Sequence, residues 1–204
     1  HAIDIRTNNV IIHNVRFRAD LVGDDALALL GATNVVIDHV SVSWGDDGNL
    51  DIIDSTDVAV ESTIMAEYIG PGHSANARSN RVSYHHNLFS TQGGRAPAFG
   101  NGDGDIVNNV VYRNDINFQM AGFAALTQIG TNDQTQLSPP AKINIIGNYY
   151  KPGPVENTVN SQQVYTYSSA AGAGVYFSGN IGPGRPNNSL PETAIASLEG
   201  NIPV

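Results

Sequence analysis

One phrase recurs along this chain: an apolar residue, one or two polar residues ending in Asn, His or Ser, then apolar residues again. It reads Ile12-His-Asn14-Val-Arg-Phe17, Ile37-Asp-His39-Val-Ser-Val42, Val60-Glu-Ser62-Thr-Ile64, His85-His-Asn87-Leu-Phe89, Val107-Asn-Asn109-Val-Val-Tyr112 and Ile146-Gly-Asn148-Tyr-Tyr150, with a weaker copy at Ser178-Gly-Asn180-Ile181. The marked polar residues lie about 25, 23, 25 and 22 residues apart, then about 39 and 32. A self-similarity of this period is the mark of a solenoid, propeller or array. Each copy flanks its polar position with apolar residues at period two, which is strand and not helix. The segments between, such as Ala26-Leu-Ala-Leu29 and Leu50-Asp-Ile-Ile53, are short strands as well. Two or three short strands per repeat predict an all-β chain wound as a parallel β-helix, one domain over residues 1–204, with successive coils about 4.8 Å apart.

That expectation gives the recurring Asn a structural role. A bend between strands leaves backbone groups unpaired, and stacked amides can satisfy them along the axis. Asn also tolerates the left-handed backbone of a corner. Asn14, Asn87, Asn109, Asn148 and Asn180 are therefore predicted to form one ladder, with His39 and Ser62 in the same slot. Two longer intervals predict loop excursions at 115–140 and 151–160, and Glu192 to Leu198 is expected to form a helical turn or two over the last coil. Nothing comparable covers the first coil, so further sequence, a local plug or a chain–chain contact is expected there.

A formal charge of −9 without a basic cluster argues against nucleic acid as a partner. No apolar run approaches membrane-spanning length, so a soluble chain with no membrane partner is expected. Cysteine is absent, which excludes disulfides and thiolate metal sites without fixing a compartment. The chain opens at His1 without an initiator Met, and a processed or excised piece is the expectation.

The chemistry-bearing residues cluster between Asp25 and Arg95. Asp47 and Asp51 are four apart, so in extended chain both face one side. Asp25 precedes Asp47 by about one repeat and should stack beside it. These acids are either solvated residues ending strands or an oxygen-only site for a hard cation, Ca²⁺ above all, because close carboxylates need a cation or raised pKa values. Arg95, in Gly93-Gly-Arg-Ala-Pro97, either pairs with an aspartate or stands over the same face to meet an anionic ligand; Arg78 and Arg81 are alternatives one coil earlier. His73, in a Gly-Pro-Gly loop, is open to proton transfer or is a plain surface residue. Of His85-His86, inside the repeat, at least one is expected to face inward or into the stack.

Taken together, Asn34-Val-Val-Ile-Asp-His39, Ser43-Trp-Gly-Asp-Asp-Gly-Asn-Leu-Asp-Ile52, His85-His-Asn-Leu-Phe89, Arg95-Ala-Pro97 and Asp105-Ile-Val-Asn-Asn-Val-Val-Tyr112 resemble the pectate lyase family in order and spacing, over about residues 10–112. The resemblance implies a right-handed parallel β-helix, secreted, that cleaves polygalacturonate, an acidic polysaccharide, by β-elimination. It implies Asp25, Asp47 and Asp51 as calcium ligands and Arg95 as catalytic base; Pro97 is expected toward the substrate, with His73, Arg78 or Arg113 substituting for family cations that this chain lacks. The chain also departs from the family. The lysine expected about twenty residues after Asp51 is replaced by Gly70-Pro-Gly-His73. The second arginine of the Arg95 motif is Gly100, and a further acidic ligand of some members falls at Gly23. A catalytically weak or inactive β-helix that binds acidic glycans or serves as a structural subunit is the alternative reading.

Overall fold

In the computed structural model, which describes residues 3–20, 23–67, 69, 73–91, 95–113, 127–129, 142–151, 165–168 and 174–199, the chain is a right-handed parallel β-helix with three walls. The first wall stacks Asp4–Ile5, Leu27–Leu30, residues 48–53, residues 73–78, Ala98–Asn101, Thr127–Ile129, Tyr165–Ser168 and Ala196–Glu199. The second stacks Val10–His13, Thr33–Asp38, residues 56–61, residues 80–85, Asp103–Val107, Lys142–Ile146 and Gly174–Ser178. Arg16–Arg18, Ser41–Ser43, Ile64–Ala66, Leu88–Thr91, Val110–Arg113 and Tyr149–Lys151 make the third. The expected excursions at 115–140 and 151–160 fall almost wholly outside the described residues.

The period-two pattern does the work that was expected of it. Along Thr33–Asp38, Val35 and Ile37 are buried and their neighbours are not. Register then stacks like on like: Leu29, Ile52, Ala77 and Phe99 in the first wall; Ile37, Val60, Tyr84, Ile106 and Ile145 in the second; Val42, Met65, Phe89, Val111 and Tyr150 in the third. All of these are buried, and each large apolar side chain contributes about 1.5–3 kcal/mol. Tyr84 sits between Phe89 and Phe99, edge-on to both at 5.9 and 5.7 Å. Burial, aided by the charge of Asp51, pushes its phenol far up, so it stays neutral.

The corner between the second and third walls carries the ladder. Thr63 N donates to Asn87 Oδ1, Asn87 N to Asn109 Oδ1, Asn109 N to Asn148 Oδ1 and Asn148 N to Asn180 Oδ1, at 2.9, 2.9, 2.9 and 3.0 Å. Each Asn also donates through Nδ2 to a carbonyl at the second wall: Val60, Tyr84, Ile106 and Ile145 in turn. The lower half of the expected ladder is corrected by one residue. Asn14, His39 and Ser62 share a column with His86, Asn108, Gly147 and Gly179, all at positive φ. That column makes the left-handed turn, and the residue after it points inward. Thr63 and Val40 therefore hold the ladder position where Ser62 and His39 were expected, and Val40 N donates to Thr63 Oγ1 at 3.4 Å.

At its far end the ladder meets an acid. Asn180 donates to both oxygens of Glu192 (3.2 and 3.1 Å), which opens the single 3₁₀ turn Glu192–Ile195. Arg185, only 5 % exposed, pairs with Glu192 at 3.3 Å and donates to the carbonyls of Leu190 and Asn180. The helical turn expected at 192–198 thus covers only 192–195, and the chain re-enters the first wall at Ala196.

Candidate functional site

The candidate residues gather at the leading edge of the first wall. Asp25 precedes the strand Leu27–Leu30 and Asp47 precedes the strand that starts at Gly48. Ala26 N donates to Gly48 O at 3.0 Å, and Asp46 and Asp47 N both donate to Asp24 O at 2.9 and 3.3 Å. Asp25 and Asp47 are therefore side by side on adjoining coils, as their spacing predicts. Gly48 pairs with His73 on the next coil, and Ala75 N donates to Arg95 O on the coil after that at 3.0 Å. The four elements thus rise in sequence along one edge, Arg95 standing two coils beyond Asp47, or about 10 Å.

The turn that delivers Asp47 has little freedom. Trp44 takes a positive φ of 69°, its indole donating to Glu67 at 3.2 Å under Arg18. A Cβ on Gly45 would fall 1.6 Å from Gly48 O, so only glycine closes this bend. Because Asp47 lies in the bend and not in extended chain, the alternation argument does not apply to it. Asp47 is exposed, whereas Asp51 lies within the strand and is 7 % exposed; Asp25 is 2 % exposed. Asp51 stacks on Ala28 below and on Asn76 above. The ligand atoms of the three acids do not all lie within 4.8 Å of one another. They do not make a closed cage: Asp47 is exposed, and Asp25 and Asp51 are buried.

Arg95 is half-buried at φ 58°, followed by the cis Ala96–Pro97 bond and a buried Pro97. Arg78 is half-buried on the outward face of the same wall, in register with Ile53 below and Asn101 above. Arg81 is committed elsewhere: its guanidinium grips Asp57 through two bonds of 2.6 and 2.7 Å. Of His73 only the backbone is described. Neither His85 nor His86 enters the core; His85 lies along the stack beside Glu61 of the coil below, at 3.7 Å, with exposed His86 against it. Sequence reasoning missed Asn76, buried one coil above Asp51. Its position one repeat after Asp51 is the signal that would have found it.

Chemically, the edge offers oxygen-only anionic donors on two coils and two guanidinium groups on the coils above. Such an array can bind a hard cation and an anionic ligand side by side.

No family model matches the chain. It is 30 % identical over 154 residues to a protein named probable pectate lyase C of Aspergillus terreus, covering 72 % of this chain and 33 % of that one. It is 29 % identical over 136 residues to the like-named protein of Aspergillus flavus, covering 65 % and 29 %. A protein named probable pectate lyase A of Aspergillus fumigatus is 34 % identical over 119 residues, covering 50 % and 37 %. The chain spans about a third of the length of these curated relatives. Among solved structures, a pectate lyase studied for substrate specificity and anti β-elimination superposes with a TM-score of 0.64 at 16 % identity, over 94 % of this chain and 54 % of that one. A pectate lyase from Bacillus sp. N165 in complex with trigalacturonate gives 0.61 at 17 %, over 91 % and 60 %. In sequence the chain is similar to proteins named probable pectate lyase, and it shares the fold of the two solved pectate lyases.

Proposed function

We propose that the leading edge of the first wall is the active site of a secreted lyase that cleaves polygalacturonate by β-elimination. The observation that carries this reading is the backbone register from Ala26 through Gly48 and His73 to Arg95, which sets acids and arginine on one edge of one wall. Relatives named probable pectate lyase support the substrate class.

In the proposed reaction Arg95 takes the proton from C5 of a galacturonate unit. The electron pair forms the C4–C5 double bond, and the C4–O bond breaks toward the leaving sugar, whose oxygen takes a proton from solvent. A guanidinium can take a proton only in its neutral form. Asp25, Asp47 and Asp51 would hold Ca²⁺; their all-oxygen chemistry fits a hard ion. When bound, calcium supplies positive charge where the C6 carboxylate becomes electron-rich. Arg78 takes the place of the missing second arginine, because Asn101, its register partner, adjoins Gly100. It would fix a neighbouring uronate carboxylate.

The test is the absorbance of unsaturated product on de-esterified pectin in alkaline buffer with calcium. Signal that disappears on chelation and with Arg95→Ala is the expected result, and no signal from the intact chain would reject the reading. The second reading, a β-helix that binds acidic glycans without cutting them, is favoured by Gly100, which is buried and brings no charge. Glycan binding without product, unchanged by Arg95→Ala, would select it.

A further inference from the structure

We propose that His13, Asp38 and His39 form a binding site for one transition-metal ion of the zinc class, which staples two successive coils together. The site lies at the trailing end of the second wall, away from the proposed lyase edge, and the inference does not depend on that reading. His13 and Asp38 are register partners on adjoining coils. One oxygen of Asp38 lies 2.8 Å from His13 Nδ1 and the other 2.5 Å from His39 Nδ1. The two imidazoles meet edge-on at 5.6 Å. Among the described residues this is the only set of three acidic or histidine side chains whose ligand atoms all lie within 4.8 Å of one another.

Backbone geometry creates the convergence. His39 sits in the left-handed column at φ 51°, which brings its ring back beside the carboxylate of the preceding residue. Two imidazoles and one carboxylate suit zinc, whereas calcium prefers oxygen alone. The ion would be bound by Nδ1 of each neutral ring in the tautomer that carries its one proton on Nε2. In a tetrahedral site with bonds near 2.0–2.2 Å, ligand atoms are about 3.4 Å apart. The pairs here are tighter, and small rotations of exposed rings would open them. Both rings are exposed, so a fourth position faces water. Asp38, whose two oxygens reach the two rings, supplies the carboxylate ligand. Glu61, its register partner on the next coil, adds negative charge beside the site and carries His85 at 3.7 Å, with His86 against that ring at 3.2 Å.

The test titrates the chelator-stripped full chain with zinc chloride by calorimetry, near neutral pH and with calcium in excess. One ion per chain is expected, undisturbed by calcium. His13→Gln or His39→Asn should each weaken it at least tenfold; Asn is chosen because Asn14 holds the same left-handed position one coil earlier. Zinc should raise the Tm of the parent chain and not of these variants. A His85→Ala/His86→Ala double variant should keep both effects. The proposal is overturned if the His13→Gln/His39→Asn double variant binds zinc as tightly as the parent. Binding without a rise in Tm, or loss that follows His85 and His86 instead, would overturn it as well.

Discussion

Two edges of this β-helix are built from the same repeat to opposite ends. At the ladder corner each buried Asn is bonded to the coil above it and to the second wall, so every coil secures the next. At the leading edge of the first wall the same register brings Asp25 and Asp47 onto adjoining coils and Arg95 two coils beyond, with Asp51 stacked under Asn76. A buried polar stack that satisfies itself gives stability, whereas charges gathered along an edge can offer a place to bind an ion or an anionic ligand. The lesson is that vertical registry does both jobs, and only the residue chosen for the column decides which.

Breaking each edge should therefore give different readouts. The largest effect is expected from Arg95→Ala, which should cut kcat/KM on polygalacturonate by about 10²–10⁴-fold while the Tm stays within a degree or two of the parent. A comparable loss of Tm and activity together would show the arginine to be a structural member. At the ladder's end the order reverses. Glu192→Ala leaves the buried Arg185 without its counter-charge and Asn180 without its acceptor, and should cost about 3–5 kcal/mol in denaturant unfolding. Activity per folded molecule should be unchanged.

The same pair of edges shows what could be read in advance. The parallel β-helix and its short strands on every coil followed from the repeat and its period-two patterning, because a β-helix repeats its core demand on every coil. The ladder column was misread by one residue in its lower half, since His39 and Ser62 are polar beside an equally small polar or apolar neighbour. Counting back two residues from the inward side chain of the third wall (Val42, Met65, Phe89, Val111, Tyr150) gives Val40, Thr63, Asn87, Asn109 and Asn148 without error. At the leading edge, positions along the axis were legible but depth was not. Asp47 falls in a bend and Asp51 in a strand, and alternation cannot relate residues on either side of a turn. The zinc-class cluster was hidden for a similar reason: His39 was assigned to the ladder, and only its left-handed backbone shows the ring facing Asp38.

A finer comparison sets two asparagines against each other. Asn109 is in the buried column and Asn14 in the left-handed one. Asn109→Gly strands Asn87 N and the Tyr84 carbonyl and should cost about 2–4 kcal/mol. Asn14→Gly keeps the favoured backbone and should stay within about 0.5 kcal/mol of the parent. Equal losses from the two would mean that the column assignment is wrong.

The smallest expected effect belongs to a third, exposed column, where Arg81 clasps Asp57 across one coil. Its hydrogen bond foremost, with its charge, the Arg81 guanidinium lowers the Asp57 carboxyl below its ordinary value of 3.8. A lowered folded pKa means that the pair stabilises above the unfolded value and that this contribution is lost as the pH falls through the folded one. Asp57→Asn should thus lower the Tm slightly at neutral pH, and the gap from the parent should close in strong acid. High salt should shrink it too, because both partners are half in water. A gap that persisted in acid would have to come from the left-handed backbone at Asp57, at φ 57°, and not from the charge. In that case the column would be held by conformation alone, as at Asn14, and the ion pair would be incidental to it.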